Sequence, residues 1–288
     1  MSKISLEPNA SGAGTFSIVS PDSNINRTLN LPDVGGTFST REDGSWEVSG
    51  MKATWVSGTE VQISEGQALS DVEFFLIKLP SSVTVDLTTT GAGGLAAGDT
   101  IPTEGTLHFH AIADSTGTNP VSVVASTTAA PAQTAGALVS GYDRSRRIFS
   151  ARVDNSNNVV SFFTKGRNVF TQLILEFSGD LGYTSREVFV PEGIRVIPKL
   201  WVGMAINPSG GTTHQLRFNH GIGDGNSEFP RFDLPFFYAG SDGGRTFFMP
   251  ELITNKSAQI RMGNQGGGSS SIQVYTSGWF DFLERRAF

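Results

Sequence analysis

The residues best suited to chemistry are two histidines, His108 and His110, separated by Phe109. In a β-strand, side chains two apart point to the same face, so both imidazoles could converge on one atom. Three such pairs around a threefold axis would offer six nitrogens to an octahedral metal. A single pair falls short of the three or four protein ligands that zinc takes. The competing reading is an amphipathic strand with His108 and His110 on its wet face and Phe109 in the core. His214 and His220 flank Arg217 and Phe218 without a carboxylate at ligand spacing, and read as ordinary strand and loop residues.

Carboxylates form close pairs at Asp71 with Glu73 and at Asp281 with Glu284. Glycoside hydrolysis needs two carboxyls at a set separation across a cleft, which proximity in sequence does not supply. Gly223-Asp224-Gly225-Asn226 and Asp242-Gly243-Gly244 lack the oxygen count and distal glutamate of a calcium loop, and suit tight turns. With no cysteine there is no thiol nucleophile, disulfide or thiolate-bound metal. The serine-elbow, zincin and phosphate-loop motifs are all missing from the sequence. The expectation is a chain without catalytic residues or cofactor, that is, not an enzyme. Phe229, Phe232, Phe236, Phe237 and Tyr238 crowd one segment, with Trp279 and Phe280 near the end, and read as core or subunit interface.

Positioning any of these falls to strands. Charged residues make up 17% of the 288-residue chain, too few for the polar faces of many helices, whereas 34 glycines suit tight turns. The expected class is all-β: a short N-terminal β anchor followed by a β-sandwich or jelly-roll-like domain. A net charge of −6 argues against nucleic acid, which binds clustered cations. No stretch has the length or apolarity of a membrane span, and residues 1–14 lack the apolar stretch of a secretory signal.

Four regions follow from turn punctuation and composition. Residues 1–40 hold two short alternating runs, Thr15–Ser20 and Arg27–Leu31, broken by Pro21-Asp22-Ser23-Asn24. Residues 41–125 form a first β region, in which 88–98 reads as a loop or an exposed hairpin tip. Residues 126–140, rich in Ala and Thr, read as a linker or extended loop. Residues 141–288 form the larger β domain. It opens with a hairpin between 147–153 and 159–163 across Asp154-Asn155-Ser156-Asn157-Asn158.

Two patterns carry a resemblance. Gly14-Thr15-Phe16-Ser17-Ile18, Pro21-Asp22-Ser23-Asn24, Arg27-Thr28-Leu29-Asn30-Leu31-Pro32-Asp33 and Gly36-Thr37-Phe38 resemble a module of phage tail-fibre and other virion proteins. Gly141-Tyr142 through Arg146-Arg147-Ile148, followed by Val159-Val160-Ser161-Phe162-Phe163 and later by Phe189-Val190-Pro191-Glu192-Gly193, resembles a pattern of phage fibre-associated β domains. His-X-His rings resemble metal stations of some phage fibre tips. The chain departs from long-fibre relatives in having no coiled coil or collagen-like repeat, so the resemblance implies a short, stubby subunit.

The resemblance implies a structural virion protein, made in the host cytoplasm and working as a homotrimer. A short tail-fibre or tail-associated subunit acting in host attachment comes first, and a capsid decoration or head-fibre protein is the alternative. A glycan-binding or glycan-cleaving receptor module is the third reading. Partners would be its own copies, other tail or capsid proteins and a host surface glycan, without membrane insertion. Residues 1–40 would attach it to the virion through Phe16, Ile18, Arg27, Leu29, Leu31, Pro32 and Asp33, because so short a segment cannot bury its own apolar side chains.

Overall fold

A computed structural model describes residues 48–71, 75–129, 138–179, 184–206, 214–219, 232–236, 245–248, 252–265 and 270–282. All lie within one compact unit, Arg41–Phe288. The attachment residues Phe16, Ile18, Arg27, Leu29, Leu31, Pro32 and Asp33 lie outside the described residues.

The described chain is all-β, with every strand pair antiparallel and no helix. Short strands come first: β1 (Val48–Gly50), β2 (Ala53–Ser57), β3 (Glu60–Ile63), β4 (Gly66–Leu69), β5 (Leu76–Leu79) and β6 (Val83–Asp86). They form two small sheets, in the orders β1-β4-β5 and β2-β3-β6. Alternation is clear in β5, where Ile77 and Leu79 are buried and Leu76 and Lys78 exposed.

A third sheet has the order β8-β7-β9, from β7 (Thr106–Ala113), β8 (Ser122–Ser126) and β9 (Arg144–Arg152). All eight residues of β7 are buried, as expected of a central strand covered on both faces. The longest strands build a five-stranded sheet, β10-β11-β18-β13-β16. It contains β10 (Phe162–Lys165), β11 (Asn168–Gly179), β13 (Val196–Ile206), β16 (Arg245–Phe248) and β18 (Ser270–Asp281). The fifth sheet, β12-β17-β14-β15, holds β12 (Thr184–Glu187), β14 (His214–Asn219), β15 (Phe232–Phe236) and β17 (Gln259–Gln265).

Two local expectations bear on this topology. The 154–158 turn forms, with Asp154 Oδ1 accepting from the backbone N–H groups of Ser156 (2.8 Å) and Asn158 (2.9 Å). The hairpin it was expected to close stops at a single Val153–Val159 bridge. β9 instead pairs with β7 and β10 with β11, because burying the two faces of β9 outweighs local pairing. The 88–98 segment is no exposed tip. Leu95 and Ala96 are buried, and backbone bonds between Ala96 and Ala125 and between Ala125 and Gly94 stitch it to β8. β18 runs unbroken from Ser270 to Asp281. Gly278 keeps it continuous there: a Cβ would collide with the Val169 carbonyl.

One apolar core draws on residues from Met51 to Trp279 and includes both sides of the 126–140 segment, for example Phe109, Phe149, Val190, Leu200 and Ile260. The described parts of 41–125 and 141–288 thus share a core and, through β7 and β9, a sheet.

Candidate functional site

The histidines lie on β7, with β8 on one side and β9 on the other. Register sets His108 opposite Ser150 and Ser126, His110 opposite Arg147 and Val124, and Thr106 opposite Arg152. A bulge at Ile148 shifts β9, so that Phe109 faces Phe149 while Arg147 meets His110. One face of this sheet is thereby apolar, with Phe109 and Phe149 rings 5.7 Å apart, and the other polar.

Both faces are covered. His108 and His110 are buried, at 1% and 0% exposure, so the wet-face expectation is corrected: the strand is not an edge with a solvent side but the middle of a sandwiched sheet. His108 Nδ1 lies 2.9 Å from Ser150 Oγ, and Arg147 donates to that same oxygen at 3.1 Å. Ser150 Oγ thus bridges Arg147 and His108, with the direction of the bond to Nδ1 set by the histidine tautomer, and the His108 ring also makes a backbone hydrogen bond with Glu192. His110 Nε2 lies 3.0 Å from the Thr128 carbonyl. The rings reach for different partners and do not converge on one point. Burial first, then the charges of Arg147 and His110, pushes the His108 pKa well below the usual histidine range. Among the described residues, no group of three or more His, Asp or Glu side chains is placed to hold a metal ion.

β9 carries four arginines, each facing an acid. Arg147 grips Asp281 through two bonds, at 2.6 and 3.0 Å, with both side chains under a tenth exposed. Arg146, on the opposite face, meets Asp71 at 2.5 Å. Arg152 meets Glu192 at 2.6 Å, donates to the Glu104 carbonyl at 2.9 Å and lies 4.8 Å over the Phe189 ring. Arg144 pairs with its neighbour Asp143 at 2.9 Å. The guanidinium fork directs separate N–H groups at a carboxylate and a carbonyl in a fixed plane, a geometry that the ammonium of lysine does not pre-organise.

The 189–193 segment latches onto this face. Glu192 N–H donates to Thr106 Oγ1 at 3.0 Å, and Gly193 N–H donates to the Lys256 carbonyl at 2.6 Å. Gly193 sits at φ +79°, and a Cβ there would lie 2.9 Å from Ala129 Cβ and 3.4 Å from His108 Nε2. The stretches Gly141–Ile148 and Phe189–Gly193, quoted above as one pattern from residues far apart in sequence, thus meet in one network. At its edge the Tyr142 hydroxyl donates to the Pro120 carbonyl (2.9 Å), and Asp143 accepts from Ser115 N–H (2.8 Å).

Ser150 and His108 have the spacing of a nucleophile and its base. Arg147 occupies the serine oxygen, however, and Ser150 is fully buried, so the pair braces the fold. A pocket of about 290 Å³ opens nearby, lined by Lys52, Ala53, Phe149, Thr164, Arg167 and Asp281 among others. Three of its polar side chains are tied internally: Thr164 to the Ala53 carbonyl (2.9 Å), Arg167 to the Phe282 carbonyl (3.0 Å) and Asp281 to Arg147. Asp71 and Asp281, considered above as halves of carboxylate pairs, are arginine partners; Glu73 and Glu284 lie outside the described residues. Trp279 is core, Phe280 packs edge-on against Phe282 at 5.4 Å, and the 229–238 aromatics lie outside the described side chains. The side chain of His214, and His220 altogether, lie outside them too.

Sequence reasoning missed Ser150, Arg147, Arg152 and Glu192 as parts of one unit. The available signal was the run Arg146-Arg147-Ile148-Phe149-Ser150-Ala151-Arg152, whose cations alternate with residues that only a core would hold. No protein-family model matches this chain, and no curated protein matches it either.

Proposed function

We propose that the chain is a structural, non-enzymatic subunit of a bacteriophage virion. In this reading it is a short tail-fibre or tail-associated protein that acts as a homotrimer in host attachment and is fixed to its neighbours by residues 1–40. The observation that supports this reading best is the fate of the reactive side chains. His108, Ser150, Arg146, Arg147, Arg152 and Asp281 are spent on buried cross-bracing between distant parts of the chain. Such bracing suits a protein that must keep its shape outside a cell without disulfides.

The fold-level part of the proposal is a β-sandwich. The five-stranded sheet contributes Val202, Val274 and Trp279 to the core, and the four-stranded sheet contributes Ile260 and Met262. Facing sheets that share one core have this architecture.

The test separates attachment from folding. Leu29→Asp with Leu31→Asp in the full chain should leave thermal unfolding unchanged and remove the protein from purified particles. Normal incorporation of that variant would assign attachment to another segment.

A further inference from the structure

The outer face of the five-stranded sheet is apolar and uncovered. Phe163 is 61% exposed, Leu173 56%, Leu175 49% and Trp201 41%. Register aligns two of them: Leu175 lies opposite Tyr275, and Tyr275 opposite Trp201, in one row across β11, β18 and β13. Beside that row Phe163 and Phe170 face each other across β10 and β11, stacked at 4.6 Å with planes 8° apart. Single exposed apolar residues need no explanation, but a contiguous row across neighbouring strands does.

We propose that this face is where copies of the chain meet. The occupant follows from size and chemistry. Strands of 12, 12 and 11 residues flanked by two of 4 give a sheet face on the order of 700 Å², at about 3.4 Å per residue and about 4.8 Å between strands. A stable interface covers about 800 Å² on each partner, so the whole face fits one standard contact. Among its described side chains, charge is confined to Lys165 and Lys199, and the Lys199 ammonium already lies 4.9 Å over the Phe170 ring. A face so poor in charge does not repel its own copy. Leu173 and Leu175 offer no hydrogen bond to a sugar, whereas interfaces between subunits bury leucine, phenylalanine and tryptophan together.

This inference deepens the proposed function and rests on its claim that the chain assembles. Sedimentation velocity of the full chain over a range of concentrations reads it out. The wild type should be oligomeric. Trp201→Asp and Leu175→Asp should each weaken association by about a hundredfold, with the thermal unfolding of the diluted, dissociated chain unchanged. A cysteine-free background allows a second readout. Leu173→Cys should resist maleimide in the oligomer and react on dilution, while Ser156→Cys at the 154–158 turn reacts at every concentration.

A monomeric wild type would overturn the proposal, and so would an oligomer indifferent to both substitutions. Protection of Leu173→Cys that persists in the monomer would assign the face to a segment of the same chain. A monomer that binds polysaccharide through Trp201 would assign it to a glycan. A monomer still found in purified virions sinks this inference and the homotrimer with it but leaves the virion role standing, and an oligomer missing from virions sinks the virion role alone.

Discussion

Arg147 and Asp281 are 134 residues apart in sequence, and their side chains join through two hydrogen bonds of 2.6 and 3.0 Å in the interior. The pair ties the end of β18, the strand at the centre of the largest sheet, to the strand beside the histidines.

Breaking this pair from one side leaves a buried charge alone. Arg147→Met should cost about 3–5 kcal/mol in chemical denaturation, and Asp281→Asn a similar amount. The double variant Arg147→Met with Asp281→Leu should recover most of that loss, because the main penalty is the uncompensated charge. Additive losses in the double variant would show that the two side chains contribute independently and not as a pair.

Acid should weaken the fold through His108. Its folded pKa lies well below the ordinary value near 6.5, chiefly from burial, so below pH 6.5 the unfolded chain takes up a proton that the folded chain refuses. Stability from this group is complete above about pH 6.5 and falls by up to about 1.4 kcal/mol per pH unit below it. Glu176 acts in the opposite sense. Burial raises its pKa above 4.5, so it favours the folded state at low pH and loses that contribution as pH rises through the raised value. His108→Gln isolates the histidine: its stability should vary less between pH 5 and 6.5 than that of the wild type. An identical slope would place the acid sensitivity elsewhere.

Gly193 should resist replacement. At φ +79° and 2.9 Å from Ala129, Gly193→Ala adds backbone strain and a clash, for a loss of about 1–3 kcal/mol. The latch on Arg152 should loosen with it, which amide hydrogen exchange at Glu192 and Gly193 would report as faster opening.

The all-β class was legible because glycine-punctuated alternation is a local signal. Every element of the described chain is accordingly a strand, with no helix. Pairing was not legible, since nothing local says that β9 leaves the 154–158 turn to join β7. The histidines were found as a pair but placed on the wrong side of the water boundary. His-Phe-His alternates like an amphipathic strand, and only the cover from 189–193 on its polar face makes it core. The arginine partners were invisible for the same reason: Asp71, Glu192 and Asp281 come from three remote stretches.

The end of β9 and the 189–193 segment should be coupled through Arg152. Arg152→Lys keeps the charge and loses the fork that holds Glu192 and the Glu104 carbonyl together. It should cost about 1–2 kcal/mol, and combined with Gly193→Ala it should cost less than the sum, because both act on one latch. Strict additivity in the double-mutant cycle would separate the two segments energetically.

The account's central claim is that this chain is a structural part of a phage particle. Quantitative mass spectrometry of gradient-purified virions of the phage that carries the gene tests it most directly. The account predicts the full chain in the particle fraction, at a fixed copy number that is a multiple of three. A chain that stays with the soluble host proteins and is missing from intact, infectious particles would contradict it.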